Sequence, residues 1–498
     1  MTGIRRAFLV TSLERYLVLA VNFGVIALVS RLLTPAEIGL AVLGTSLLSL
    51  AEALRDFGTG SYLIQAREVG HERVRTAFTV MAVVSGLIVA LLMVLAGPLA
   101  LMYGEAQLAP YLRIIALGFL AGPFSAPILA LFRRRMRFGA IALVNVLSSI
   151  IGACVTAGLV LLGQSFMSFA WGGLACAVAA ATLSVAMWPD TSIFRPQLTE
   201  WRSAFAFGGT NSATFILNRI YEVLPYLVLG RLQPATTVGL YNRALLLCQL
   251  PDRMLLAGVV GVALPALAEE VRQDRGIKQP YLLALSYITA VQWPTLALVA
   301  LLAHPMVNLL FGPQWLPAVP LVQIVALAQA FAFPAPLTYP ALVALGAVRD
   351  TLTSSLISLP ISAAILLGAA VIGVEAIALC LLVVIPLQVL VALYFVQRRV
   401  HFEWRELGVS VVASAATAAC SAVAPVLALT LNGFRLDIPL EVTILAVFGW
   451  ATGWALGLRL FHHPFIAELR RVLPGLRSAV SVLPLLGGGR SAARTGFD

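Results

Sequence analysis

The side chains able to do chemistry in this sequence fall into four stripes at helical spacing, each embedded in apolar residues. Positions 7 or 11 apart on a helix lie within about 20° of one face. Thr11, Arg15 and Asn22 share one such face; Thr45, Ser49, Glu52 and Asp56 share a second, with Arg55 beside it. Asn211, Asn218 and Glu222 share a third, with Arg219 one step round, and Asn242, Gln249 and Arg253 a fourth, flanked by Asp252 and Arg243. Guanidinium groups among amides are suited to hold an anionic head group. That makes Arg15, Asn22, Arg55, Asn218, Arg219, Asn242, Gln249 and Arg253 the candidate binding set. The carboxylates Glu52, Asp56, Glu222 and Asp252 are suited either to cation coupling or to pairing with those arginines, and the two alternatives stay open.

Other chemistry is not signalled. There is no GxxxxGK[ST] nucleotide loop and no HExxH, so neither nucleotide hydrolysis nor a metal centre is expected. The cysteines Cys154, Cys176, Cys248, Cys380 and Cys420 stand singly in apolar runs, which reads as packing rather than redox or metal use. His462-His463 reads as an interfacial pair. No cofactor is expected, and the protein is not expected to be an enzyme.

The elements that carry the stripes must lie in a membrane. The chain has 498 residues, 60% hydrophobic and 11% charged, and a mean hydropathy of +0.96. Soluble domains carry about 25% charged residues, so a soluble enzyme or nucleic-acid binder is excluded despite the formal charge of +11. Apolar runs of about 20 residues, the length that crosses a hydrocarbon core of about 30 Å, recur along the chain. The pattern predicts an all-α polytopic membrane protein with about 14 transmembrane helices. Six fall in an N-lobe over residues 1–200, six in a C-lobe over 201–400, and two more over 401–461, followed by a basic tail at 462–498.

Arginine clusters such as Arg133-Arg134-Arg135 and Arg398-Arg399 alternate with segments on the other side that hold only Arg31, Arg231 and Arg435. The positive-inside rule then places both termini in the cytoplasm. Glu14 and Arg15 interrupt the first apolar run, so it is expected to be a retained helix rather than a cleaved signal. The external connections are expected to be short loops, the longest around 304–316. The tail is expected to form an amphipathic helix on the inner surface, through Phe465, Ile466 and Leu469. Pro251, Pro265 and Pro294 are candidate bending points.

A repeat runs through this topology. The segment from Arg31 to Leu40 (RLLTPAEIGL) is matched 200 residues on by Arg231 to Leu240 (RLQPATTVGL), with Arg, Leu, Gly and Leu coinciding. Asn22 falls opposite Glu222, and Glu52 opposite Asp252. Six spans separate the copies, so both halves insert with the same polarity, as two facing six-helix lobes with a hydrophilic cavity between them.

Several of these segments resemble a known family. Residues 31–39 resemble the RLLTPxxxG signature of polysaccharide-transporter flippases of the multidrug/oligosaccharidyl-lipid/polysaccharide exporter superfamily. Asp56-Phe57-Gly58-Thr59-Gly60 with Ile64-Gln65, Gly239-Leu240-Tyr241-Asn242-Arg243-Ala244 with Leu250-Pro251, Leu264-Pro265-Ala266-Leu267, and Leu309-Leu310-Phe311-Gly312-Pro313-Gln314-Trp315 look like further family segments, in order. The resemblance implies a flippase for undecaprenyl-diphosphate-linked oligosaccharide in the bacterial inner membrane, serving O-antigen, capsule or exopolysaccharide assembly. Its implied partners are the lipid-linked oligosaccharide, membrane lipids, and polysaccharide polymerase and export proteins. A multidrug/cation antiporter of the same superfamily is the alternative; a membrane polysaccharide polymerase or ligase is a second, disfavoured by the short external loops.

Overall fold

A computed structural model of the chain describes residues 2–55, 70–188, 190–199, 201–253 and 257–472, with the side chains of 2–9, 54, 201–215, 257–262 and 470–472 set aside. Asp56, the 56–65 segment and the tail beyond 472 lie outside the described residues, and Asn211 outside the described side chains.

The fold is all-α. The first lobe comprises α1 (Thr2–Leu32), α2 (Pro35–Arg55), α3 (His71–Tyr103), α4 (Leu108–Leu117), α5 (Gly122–Arg134), α6 (Phe138–Leu161) and α7 (Met167–Ala186). The second comprises α8 (Trp201–Leu232), α9 (Ala235–Cys248), α10 (Ala257–Arg272), α11 (Lys278–Leu301), α12 (Ala303–Phe311), α13 (Val319–Gln329), α14 (Ala335–Ala344), α15 (Val348–Ile372) and α16 (Val374–Val400). Then follow α17 (Trp404–Leu431), α18 (Leu440–Leu460) and the short α19 (Phe465–Val472). Among the described residues, 12 helical segments are long and apolar enough to cross a membrane. The seventh and eighth expected spans correspond to α8 and to α9 with α10.

Local chemistry explains the element boundaries. At the start of α2, the Thr34 amide donates to Glu37 Oε2 at 2.7 Å and the Glu37 amide to Thr34 Oγ1 at 3.3 Å, a reciprocal cap of two otherwise orphaned donors. A second such box, Glu403 with Glu406, opens α17. The junction of α15 and α16 is one residue, Gly373, at φ 147°. That backbone region disfavours side chains, so glycine allows the chain to reverse there.

The fourth helix of each lobe is broken, which the apolar pattern did not signal. Residues Gly118–Ala121 form a 3-10 turn between α4 and α5, and Ala330–Ala332 form one between α13 and α14. In the second break the freed Ala330 carbonyl accepts the Trp293 indole N–H at 2.7 Å. Another correction concerns 304–316, which is not a loop. It is α12 followed by a 3-10 turn, Pro313–Ala318, and it folds back onto the end of α1.

Pro294 in α11 also behaves differently from a free hinge. A proline cannot donate to the carbonyl four residues earlier; here that carbonyl, Ala290 O, accepts the Trp454 indole N–H at 2.8 Å, and Pro294 O accepts that of Trp450 at 2.9 Å. Two tryptophans of α18 thus staple the final helix pair to α11. Beneath them, His463 is buried against α11 and α17, its Nε2 lying 3.1 Å from Ser286 Oγ and 3.0 Å from Ser414 Oγ. It is therefore a packed residue rather than an interfacial one. The expected amphipathic segment is α19, with the Phe465 ring tilted against those of Tyr287 and Trp454.

Candidate functional site

The lobes meet where the repeated sequence motifs cross. A Cβ on Gly39 would lie 1.8 Å from the Ala235 carbonyl oxygen, and one on Gly239 would lie 2.1 Å from that of Pro35. These four positions exchange under the 200-residue offset, as a two-fold axis between like-oriented halves requires. Only glycine lets the two backbones approach so closely. Around this crossing, the turn at 311–315 grips the end of α1. Gln314 Nε2 donates to the Ser30 and Leu33 carbonyls at 2.6 and 2.9 Å, and Trp315 Nε1 to Ser30 O at 2.7 Å. Arg31 reaches back to the Leu309 carbonyl. The end of the bundle bearing Arg31 and Arg231 is thereby tied across the lobes.

From mid-bundle toward the opposite end lies a cavity of about 850 Å³. Its walls are α2 from the first lobe and α8, α9, α13, α14, α15 and α16 from the second. Of the sequence-derived candidates, Asn218, Arg219, Glu222, Asn242, Gln249 and Arg253 line it. Arg219 Nη1 sits 2.9 Å from Glu222 Oε2, and its Nη2 sits 3.9 Å from Glu52 Oε2 across the lobe boundary. Glu52 therefore stands at the rim. Arg253 donates from Nη2 to Gln249 Oε1 at 2.9 Å. Side chains of this pair and of the Arg219 cluster are half-exposed to the cavity, where exposed ion pairs contribute only about 0–1 kcal/mol. They can exchange partners for a ligand.

Other candidates lie elsewhere. Asp252 turns away from the cavity and accepts a hydrogen bond from Gln292 Nε2 at 2.9 Å. Arg55 stacks over Phe119 at 5.1 Å, beside the break in the fourth helix of its own lobe. Arg15 and Asn22 sit exposed on α1, which packs on α6 and α12 instead of lining the cavity. On the same helix Glu14 accepts from Asn145 Nδ2 of α6 at 2.6 Å. The physical reason is that α6, α12 and the turn after α12 take up the packing face and the end of α1.

The sequence reading missed the far wall. Thr351, Ser354, Ser355 and Ser358 of α15 face the cavity, as do Tyr226, Tyr339, Gln329 and Gln388. Their spacing of three and four residues was a legible stripe. It was overlooked because isolated hydroxyls bonded to their own helix weigh little in an apolar run. Arg243, next to Asn242, is by contrast fully packed. Its guanidinium lies over Trp315 at 5.3 Å and Phe311 at 5.6 Å, and Nη1 donates to Asn242 Oδ1 at 3.2 Å. It links the cavity floor to the residues that grip α1.

Comparison with known proteins matches this architecture. The family described as "Polysaccharide biosynthesis protein" matches residues 28–320. The succinoglycan biosynthesis transport protein ExoT of Rhizobium meliloti (strain 1021) is 26% identical over 322 residues, 63% of each chain. The lipopolysaccharide biosynthesis protein WzxC of Escherichia coli (strain K12) is 23% identical over 313 residues, 62% of this chain and 63% of that one. The aligned region thus spans somewhat under two thirds of these relatives. Among solved structures, the lipid II flippase MurJ in an inward closed conformation aligns with a TM-score of 0.72 at 12% identity, covering 92% of this chain and 99% of that one. An inward-facing multidrug resistance MATE family transporter of the MOP superfamily aligns with a TM-score of 0.64 at 14% identity, over 76% and 94% of the two chains. At such identity these two establish the shared fold alone. With its family match over residues 28–320, more than half of its length, the chain belongs to the polysaccharide biosynthesis protein family.

Proposed function

We propose that the protein moves a lipid-linked oligosaccharide, carried on undecaprenyl diphosphate, across the bacterial inner membrane by alternating access, with both termini in the cytoplasm. The observation that carries this reading is the polar cavity at mid-bundle, tied shut at the Arg31/Arg231 end and lined toward the other. With the arginine-rich segments in the cytoplasm, that is a state ready to load from inside. Arg219 and Arg253 contact the diphosphate or sugar hydroxyls. Glu52 and Glu222 hold Arg219 or take up a coupling cation, while Asp252, turned toward Gln292, is a candidate for the cation alone. The two lobes supply the domain organisation, α17 and α18 an added pair, and the prenyl tail stays in lipid. Polymerase and export proteins act on the product at the outer face.

The test is a deletion strain complemented with variants, scored for surface glycan and for the side on which the lipid-linked intermediate accumulates. Accumulation on the cytoplasmic side is expected. Arg253→Ala combined with Arg219→Ala should lower surface glycan by about tenfold or more at unchanged protein abundance. Normal glycan from that double variant would remove the arginines from the mechanism; accumulation on the outer face would remove transport itself.

A further inference from the structure

The cavity is chemically divided. Its charged residues among the described lining are Arg219 and Glu222 on α8 and Arg253 in the segment just after α9, and the facing walls carry hydroxyls and amides without charge. The direction of the hydrogen bonds sharpens the division. On α15, Thr351 Oγ1 donates to Val348 O at 2.6 Å and Ser358 Oγ to Ser354 O at 2.8 Å. On α14, Thr338 Oγ1 donates to Pro334 O at 3.0 Å. On α2, Thr45 Oγ1 donates to Ala41 O at 2.9 Å and Ser49 Oγ to Ser46 O at 2.7 Å.

A hydroxyl has one proton and two lone pairs. Each of these five has committed its proton to its own helix, so what it presents to the cavity is an acceptor. Across the chamber the polarity reverses. Gln249 must turn its carbonyl oxygen to Arg253, which can only donate, and this leaves its NH2 group and the arginines as donors.

We propose that the acceptor wall formed by α15 with α14 and α2 selects uncharged, hydroxyl-bearing sugars over sugars that carry a carboxylate, while the donor wall of α8 and α9 takes the anionic linkage. The inference rests on the transport reading above and adds the class of glycan. A sugar hydroxyl donates to the wall's lone pairs. A carboxylate has no proton to donate, so at these five oxygens it loses water and gains no hydrogen bond. The volume suits a ligand of ordinary drug size, so the wall reads the sugars nearest the diphosphate.

The experiment uses the purified full chain in nanodiscs and three synthetic short-prenyl diphosphates: bare, linked to N-acetylglucosamine, and linked to glucuronate. Affinity is measured by titration calorimetry. The N-acetylglucosamine compound should bind about tenfold tighter than the glucuronate compound. Thr351→Val with Ser358→Ala should shrink that ratio to about threefold or less and leave the bare diphosphate unchanged. Ser355→Lys, which places a cation on the acceptor wall, should raise glucuronate affinity. Equal or tighter binding of the glucuronate compound by the unmodified protein overturns the proposal, as does a ratio untouched by the double substitution. If the bare diphosphate binds and neither sugar adds affinity, this proposal alone fails; if none of the three binds, the transport reading fails with it.

Discussion

At the scale of single residues, partners rather than positions decide what a charged side chain can do. Arg219 and Arg253 share the cavity, yet Arg219 faces two carboxylates and Arg253 an amide. Arg253 is the more available cation. Glu52→Gln is expected to change thermal stability little, because the 3.9 Å contact with Arg219 joins half-exposed groups worth about 0–1 kcal/mol; a detergent thermal-shift assay reads this directly. Asp252→Asn should keep its acceptor for Gln292 and fold normally, so any loss of surface glycan in that variant would report the charge itself.

At the scale of elements, the close crossing of α2 and α9 is the most demanding contact. Gly239→Leu cannot be accommodated beside the Pro35 carbonyl, and overpacking of this kind costs about 1–3 kcal/mol or more. The expected outcome is a lobe contact forced open, seen as faster proteolysis and lost transport, with Gly276→Ala, where the added Cβ meets nothing within 4 Å, as the neutral control. The docking of α19 is pH-sensitive. Nδ1 of His463 accepts the Phe465 amide N–H at 3.1 Å, so the ring must be neutral at that nitrogen. Burial pushes its pKa below the usual histidine value. The unfolded or undocked segment therefore binds more protons at acid pH, and docking is present above about pH 6.5 and weakens as pH falls below it. Hydrogen exchange of residues 463–469 at pH 7.5 and pH 5 should show loss of protection at the lower pH, and His463→Gln should flatten the dependence.

At the scale of the molecule, the ties at the Arg31/Arg231 end must break if the cavity is to open there. Gln314→Ala with Trp315→Phe removes the donors to Ser30 and Leu33 while keeping the aromatic packing around Arg243. This should shift the population toward opening on that side. A cysteine placed at Thr45, which lines the cavity, in a background lacking the native cysteines should then react faster with a membrane-impermeant thiol reagent applied from outside. An unchanged rate would mean that these bonds do not hold the closed end.

Composition and periodicity by themselves determined the membrane class, the helical spans, the repeat and the polar stripes of α2, α8 and α9, because each is a property of local spacing and of the cost of placing polar groups in lipid. Even the glycine at 39 and its mate at 239 were visible as a repeated motif, though not as a crossing point. What only the tertiary structure decided was which stripes share a chamber. Span one of the repeat carries Arg15 and Asn22 as openly as span two carries Thr45, yet α12 and α6 draw α1 away from the cavity. The place of α15 as the opposite wall, the turn of Asp252 toward Gln292 and the breaks in the fourth helices were likewise decided there. A helix periodicity names a face; the contacts that choose what that face meets come from residues hundreds of positions away.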